Sequence, residues 1–287
     1  MKRSHFLKLK IMNKILVPVD FSEQSNYALK TAASISEKTN AEVYLLHLVE
    51  LPSGVIDMAA GSNFSIPESM MYLRKIKDKM LKIKEYYFVN RENVKYSIRF
   101  NHPYQGIKEY SEKINPNLII MGAKGVSDFE EIMIGSNTEK IVRTSEIPVI
   151  VVKSNSDEFR LNNIVFASDF KDESKVSFKK LIEFTSGLDC KIHLLFVNTM
   201  DRFETTESTT ERIQSFLNDF ENTDQYSINT YNDNTIIKGI VNFSNEINTD
   251  LIALSTHNRS GLSKLFNDSI AKSLSKTATK PIVTFKI

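Results

Sequence analysis

Cysteine, tryptophan and long hydrophobic runs are scarce or absent in this chain. Among 287 residues there is one cysteine and no tryptophan. A single cysteine cannot form an internal disulfide, and this composition is typical of proteins from a reducing compartment. No apolar run reaches the roughly 20 residues that a membrane-spanning helix needs. We therefore expect a cytoplasmic protein without a membrane partner, held together by its hydrophobic cores.

An excess of charge of one sign is also lacking. Thirty-seven basic and 35 acidic residues leave a formal net charge of +2. Such a balance does not indicate the strongly basic face of a nucleic-acid-binding protein. The five histidines show no metal-ligand spacing, so we predict no metal site. The basic residues 1–12 have no apolar core or small-residue cleavage site, so we interpret them as an N-terminal extension rather than a signal peptide.

Five sequence blocks occur twice, in the same order. "NKILVPVDFSEQS" near the start is repeated as "NNIVFASDFKDES", and "TSEIPVIVVK" is repeated as "TATKPIVTFK" at the end. Matched blocks in one order indicate a duplicated domain. The predicted domains are residues 13–153 and 162–287, joined by a polar linker at 154–161.

Each half alternates short, branched apolar runs with longer helical patterns. In the first half these runs predict strands at 15–19, 43–49, 94–98, 118–121 and 149–152. Continuous apolar strands separated by helices are typical of a parallel sheet covered on both faces, and right-handed crossovers make it doubly wound. The predicted fold class is α/β, with two tandem doubly wound parallel five-stranded sheets. Ser22 is predicted to cap the first helix, and residues 67–88 to form an amphipathic surface helix.

The segment "MGAKGVSDFEEIMIGSNTEKIVR" follows the predicted fourth strand. Such sheets bind ligands beyond the carboxyl ends of their strands. Because glycine has no Cβ and accepts positive φ, we expect Gly122 and Gly125 to let the backbone turn tightly and approach a ligand. Gly135 and Ser136 precede a helical pattern, and the free N–H groups at a helix N-terminus attract phosphate.

Asp20 ends the first strand at the same edge of the sheet. A carboxylate repels phosphate, so its predicted role is to accept a hydrogen bond from a base or a sugar. An acceptor at one end and a phosphate cradle at the other predict a nucleotide site. Taken singly, each of these residues is expected more often to serve only a turn or a helix cap, but their fixed spacing is more specific than a lone glycine motif.

From Asn13 onward the chain resembles a tandem member of the universal stress protein family. In that family G-x2-G-x9-G-[ST] marks the members that bind ATP, and the first half matches it without a gap. The resemblance implies an adenine nucleotide alpha-hydrolase-like fold with strand order 3-2-1-4-5. It also implies an internal pseudo-dimer paired through the last strands, and leaves a homodimer possible. The nucleotide-binding residues that it implies are Pro18, Val19, Asp20, Leu48, Gly122, Gly125, Gly135, Ser136, Asn137 and Thr138.

By the same resemblance these residues have distinct roles. Asp20 contacts adenine, Leu48 offers its backbone to the adenine edge, and Asn137 and Thr138 donate to phosphate.

The second half departs from this motif. Ser255, Asn258 and Asp268 stand where the glycines were, while Ser269 and Asp169 persist. Asp268 places a carboxylate at the helix N-terminus, where it repels phosphate although it caps the helix well. We therefore expect one ATP per chain, together with Mg²⁺, in the first half. Whether the second half takes another ligand stays open.

The function predicted is an ATP-binding regulatory protein of the stress response, with an unidentified protein partner and no catalytic residue assigned. One alternative is a slow ATP hydrolase or phosphotransferase, for which Asp128, Glu130 and Glu131 could hold a metal. An acidic surface loop explains these three residues equally well. The other alternative is a scaffold that needs no nucleotide, which the intact first motif disfavours.

Overall fold

The structure is a computed structural model that describes residues 12–50, 66–123, 135–153, 159–221, 225–256 and 280–287. The chain divides into two compact units, one formed by Asn13–Phe159 and one that contains Arg160–Ile287. Of the predicted linker and N-terminal extension, residues 154–158 and 1–11 lie outside the described ranges.

The first unit alternates strands and helices along its whole length. Its elements in chain order are β1 (Lys14–Pro18), α1 (Glu23–Thr39), β2 (Glu42–Val49), α2 (Ile66–Tyr87), β3 (Val94–Phe100), α3 (Pro103–Ile114), β4 (Leu118–Gly122), α4 (Ser136–Thr144) and β5 (Val149–Val152). The strands pair in parallel in the order β3-β2-β1-β4-β5. This confirms the predicted doubly wound sheet and its strand order.

The second unit repeats that arrangement. Its elements are β6 (Asn163–Ala167), α5 (Ser174–Thr185), β7 (Lys191–Asn198), α6 (Thr206–Leu217), β8 (Tyr226–Asn232), α7 (Ile236–Glu246), β9 (Leu251–Thr256) and β10 (Ile282–Lys286). The order of its parallel strands is β8-β7-β6-β9-β10. Read from β6 onward, this is again the order 3-2-1-4-5.

Burial explains why the apolar runs located the strands within one or two residues. In the central strand β1, Ile15, Leu16 and Val17 have no solvent exposure. In β3 the side chain of Val94 is buried and the others are half-buried or exposed, as expected for an edge strand. Each aliphatic side chain that is fully buried contributes about 1.5–3 kcal/mol, so the central strands supply most of the core.

Helix α1 begins at the carboxyl edge of the sheet and packs its apolar face on the core. Its stripe of Ala28, Leu29, Ala32 and Ile35 is fully buried, as expected for residues at helical spacing on a core-facing side. Ser22 is the N-cap and accepts a hydrogen bond from the Ser25 N–H at 3.1 Å, which confirms the predicted cap. The predicted surface helix is also confirmed as α2. None of the described helices is long and apolar enough to cross a membrane.

Candidate functional site

One open cavity of about 460 Å³ lies at the carboxyl edge of the first unit's sheet. Its size falls in the range of small-molecule sites, roughly 300–1,000 Å³. Nine of the ten residues predicted to bind nucleotide line it, and the tenth, Gly125, lies outside the described residues. The nine are Pro18, Val19, Asp20, Leu48, Gly122, Gly135, Ser136, Asn137 and Thr138.

Gly122, at the end of β4, is required by packing rather than by backbone conformation. A Cβ on Gly122 would lie 2.4 Å from both the backbone carbon and the oxygen of Gln24. Its φ is not positive, so the expectation of a tight turn that uses glycine's conformational freedom is wrong here. The close approach that the structure shows is to the first turn of α1, and an approach to a ligand stays a prediction. Glycine thereby brings that turn against β4 and makes it a wall of the cavity.

Helix α4 starts without a side-chain cap. Gly135 is its N-cap and Ser136 its first residue, as predicted. The first intrahelical bond runs from the Glu139 N–H to the Gly135 carbonyl at 2.9 Å. The N–H groups of residues 136–138 therefore precede the helical ladder. All three residues line the cavity, and the positive end of the helix dipole adds to their attraction for an anion.

The hydroxyl of Thr138 joins α4 to the neighbouring strand. It donates to the carbonyl oxygen of Gly122 at 3.2 Å, and the residue is buried. This bond ties the first turn of α4 to the end of β4. The hydroxyl is therefore already engaged, whereas the backbone N–H of this residue precedes the helical ladder.

Asp20 is held in one orientation by Ser22. Its Oδ1 accepts hydrogen bonds from the Ser22 N–H at 2.9 Å and from the Ser22 hydroxyl at 2.5 Å. The other oxygen, Oδ2, accepts no bond from the described residues, and the side chain is exposed. One carboxylate oxygen thus fixes the turn while the other is free to accept a hydrogen bond from a ligand.

The end of β2 presents free backbone to the same cavity. The last bond from the β1 segment to β2 runs from the Val19 N–H to the Leu46 carbonyl at 2.8 Å. The Val19 carbonyl then accepts from His47 Nδ1 at 2.7 Å, so His47 ends the ladder. Alternate residues of a strand direct their backbone groups to the same side. Leu48 therefore directs its N–H and C=O toward the cavity side, beyond the end of β1.

Phe21, directly after Asp20, closes the turn in an unusual conformation. Its φ is +65°, a left-handed value that is uncommon for a bulky side chain. The ring lies 4.4 Å from that of His47, and Lys79 Nζ of α2 is 5.0 Å from its centroid. These contacts hold the turn, because a strained conformation persists only where the surroundings fix it.

Sequence reasoning missed part of the lining. Pro103 and Ile107 belong to α3, which begins directly after β3 and therefore at the same edge of the sheet. Their place directly after a predicted strand could have identified them. A Cβ on Gly106 would lie 2.4 Å from Leu48 Cδ2, so α3 packs closely on β2. The missed lining residues are Ser22, Gln24, Ser25, Leu46, Pro103, Ile107, Met121 and Ala123. The described residues include no group of three or more acidic, histidine or cysteine side chains that could hold a metal ion.

Comparison with known proteins agrees with this architecture. The model of the universal stress protein family matches residues 12–153. Universal stress protein MJ0577 of Methanocaldococcus jannaschii is 33% identical over 152 residues, which are 49% of this chain and 94% of that protein. MJ0531 of the same organism is 31% identical over 153 residues, 52% of this chain and 86% of that protein.

Among solved structures, a universal stress protein from Archaeoglobus fulgidus has the same fold over nearly the whole chain. It superposes with a TM-score of 0.73 at 18% identity and covers 96% of this chain and 98% of that one. The single-domain relatives each correspond to about half of this chain, as expected for a tandem arrangement. This chain belongs to the universal stress protein family.

Proposed function

We propose that the first unit binds one ATP per chain and that the protein is a regulator of the stress response whose state depends on that nucleotide. One observation carries the proposal. A single cavity contains both the uncapped N-terminus of α4 and a fixed carboxylate, Asp20, with one oxygen free. The first suits phosphate and the second suits a hydrogen-bond donor on a base or ribose, so the cavity has the polarity of a nucleotide.

The apolar part of the cavity is the part that we assign to the nucleotide base. Leu46, Ile107 and Met121 are buried side chains that line it, and flat heterocycles pack on such walls. Asp20 Oδ2 accepts a hydrogen bond from an amino or hydroxyl group, and the Leu48 backbone offers a donor and an acceptor to the edge of the base. Together these groups favour adenine, which presents an exocyclic amino donor beside a ring acceptor.

The phosphate part is formed by the start of α4. The N–H groups of residues 136–138 and the hydroxyl of Ser136 donate to phosphate oxygens, and the helix dipole favours their negative charge. Mg²⁺ is commonly held through phosphate oxygens and water molecules. It would enter with the triphosphate, and the acidic residues Asp128, Glu130 and Glu131 lie outside the described residues.

Titration calorimetry of the full chain with ATP and GTP tests this proposal. We expect one site per chain and tighter binding of ATP than of GTP. Mass spectrometry of the nucleotide retained on purification identifies the natural ligand independently. Phosphate release assayed with saturating Mg-ATP separates a binding module from a slow hydrolase. Two equivalent sites, or no preference for adenine, would contradict the assignment.

A further inference from the structure

The second unit has a cavity at the equivalent place, with a different character. It is about 180 Å³ in volume. The paired registers of β6 with β7 and of β1 with β2 make Leu195 the counterpart of Leu46 and Val197 the counterpart of Leu48. Ile240 and Leu254 similarly take the places of Ile107 and Met121. The apolar end of the first cavity is thus retained in the second.

The turn after β7 narrows this cavity. Asn198 Nδ2 donates to the Glu204 carbonyl at 3.0 Å, and the Glu204 N–H donates to Asn198 Oδ1 at 2.9 Å. The turn brings the Glu204 carboxylate into an ion pair with Arg212. Arg212 in turn lies 5.5 Å from the centroid of the Phe196 ring. Glu204 and Arg212 both line the cavity, and each neutralises the other.

The carboxylate that corresponds to Asp20 is also neutralised. Asp169 Oδ2 pairs with Lys171 Nζ at 3.1 Å, and Oδ1 accepts from the Ser174 hydroxyl at 3.3 Å. Lys171 stands where the first unit has Ser22. Asp169 therefore lacks the free acceptor oxygen that makes Asp20 suitable for a nucleotide.

One buried polar atom of the cavity is left without a partner among the described residues. Ser255, at the position of Gly122, lines the cavity. Its Oγ is buried and makes no hydrogen bond within the described part of the chain. A buried hydroxyl without a partner is unfavourable, so native structures pair such groups with protein, water or ligand.

We propose that this cavity binds a small, uncharged, single-ring molecule that carries one hydrogen-bonding group, of the phenol or nitrogen-heterocycle class. The apolar walls take the ring, and Ser255 Oγ takes the polar group. The volume supports this size, since an engineered cavity of about 150 Å³ in another protein holds benzene while drug-sized ligands need roughly 300 Å³ or more. A triphosphate nucleotide is disfavoured by the volume, which at about 180 Å³ is well below the 460 Å³ of the first unit's cavity.

Titration of the full chain with phenol, benzene and ATP tests the proposal, by calorimetry and ligand-observed NMR. We expect one phenol site in the second unit that persists when ATP is saturating. Benzene, which has the ring but no hydrogen-bonding group, should bind roughly five- to tenfold more weakly. Ser255→Ala should remove the difference between phenol and benzene without abolishing benzene binding.

Ala167→Phe, which adds a ring to the cavity wall, should abolish binding of both probes. If Ala167→Phe does not fold, Ala167→Leu provides a milder filling of the same space. Absence of phenol binding up to its solubility limit, or phenol binding unchanged by Ser255→Ala and Ala167→Leu, overturns the proposal. These outcomes do not depend on whether ATP binds the first unit, because every substitution lies in the second.

Discussion

The two units share one fold but begin their first helices differently, and this difference shapes their cavities. In the first unit α1 starts at Glu23 behind the Ser22 cap and has 17 residues. In the second unit α5 has 12 residues and starts at Ser174, the counterpart of Ser25. Lys171 replaces Ser22, and its side chain has no oxygen with which to accept from the helix N–H groups. The α-helix therefore begins two residues later, and the Ser174 and Lys175 N–H groups donate to the carbonyls of Lys171 and Asp172 at 2.9 and 3.0 Å.

The position on the fourth strand that faces the start of the first helix also differs between the units. Gly122 allows the backbone of Gln24 to pack against β4, whereas Ser255 places a side chain at that point. The resulting cavities measure about 460 Å³ and 180 Å³. The buried strands are retained in both units, while a few positions at the carboxyl edge of the sheet differ between the two cavities.

The largest expected effect comes from copying the serine of the second unit into the first. In Gly122→Ser the new Cβ would lie 2.4 Å from backbone atoms of Gln24, so α1 or β4 must shift. Overpacking of this kind costs about 1–3 kcal/mol of stability. We expect ATP affinity to fall by at least about a hundredfold, near 3 kcal/mol, because the walls and the Thr138 anchor move together.

The matched control is Ser255→Gly in the second unit. It removes the unpartnered hydroxyl and should leave ATP binding unchanged. Calorimetry gives both affinities, and thermal unfolding gives both stabilities. If Gly122→Ser binds ATP like the wild type, close packing against α1 does not define the cavity.

A smaller but sharper effect is expected at the start of α4. Gly135→Asp supplies a side-chain cap that Gly135 lacks, so the free energy of unfolding should rise by a few tenths of a kcal/mol, roughly 0.3 kcal/mol. The same carboxylate occupies the free N–H groups and repels phosphate. ATP affinity should therefore fall roughly thirtyfold, or about 2 kcal/mol.

Opposite signs for stability and affinity distinguish this effect from general damage. Gly135→Ala, which adds neither a cap nor a charge, is the control and should lose much less affinity. Thermal unfolding measures the change in stability, and calorimetry on the same preparations measures the change in ATP affinity. A loss of both stability and affinity in Gly135→Asp would refute competition for the N–H groups.

The sequence predicted the sheet well because strands and buried helices depend on periodic apolar residues. It also located the cavity, since Gly122 and Gly135 mark the ends of β4 and the start of α4. The contribution of α3 through Pro103 and Ile107 was missed, because it depends on how closely one helix packs on β2. That distance is set by Gly106 and Leu48, which are far apart in the sequence.

The detailed hydrogen bonds were predicted less well. That Thr138 donates to phosphate stays a prediction, and the structure adds that its hydroxyl donates to the Gly122 carbonyl. The interaction of Asp20 with Ser22 was not foreseen, although Ser22 itself was correctly predicted as a cap. Each hydroxyl can serve either a ligand or the nearest carbonyl, and only the folded geometry decides between them.

A third prediction compares the two aspartates. Asp20→Asn can keep an oxygen toward Ser22 but places an amide donor where the free carboxylate oxygen was. Loss of one acceptor from the ligand should weaken ATP binding about tenfold, near 1.4 kcal/mol, and reduce the preference over GTP. Asp169→Asn should leave both affinities unchanged, because Asp169 is engaged by Lys171. Competition calorimetry with the two nucleotides measures these effects, and an equal loss in both variants would contradict the assignment.

The smallest expected effect is a pH dependence confined to the second unit. His193, which occupies the position of Tyr44 in the first unit, is buried. Its Nε2 lies 3.2 Å from Asn163 Oδ1, and its Nδ1 lies 2.7 Å from Ser227 Oγ. Since Asn163 Oδ1 can only accept, Nε2 carries the proton and Nδ1 accepts from the serine. The neutral ring thus satisfies both partners.

Burial, and secondarily the charge of Lys191, lowers the pKa of His193 below its ordinary value of 6.5. The unfolded chain then binds a proton that the folded chain does not, so stability is lost as the pH falls below about 6.5. Urea unfolding between pH 7.5 and 5.5 should show this slope, and His193→Gln should reduce it. His102→Gln, at an exposed histidine of the first unit, should leave it intact. His193→Gln has no imidazole at this position to bind a proton on unfolding. If its stability falls with pH as steeply as that of the wild type, the pH dependence comes from other groups.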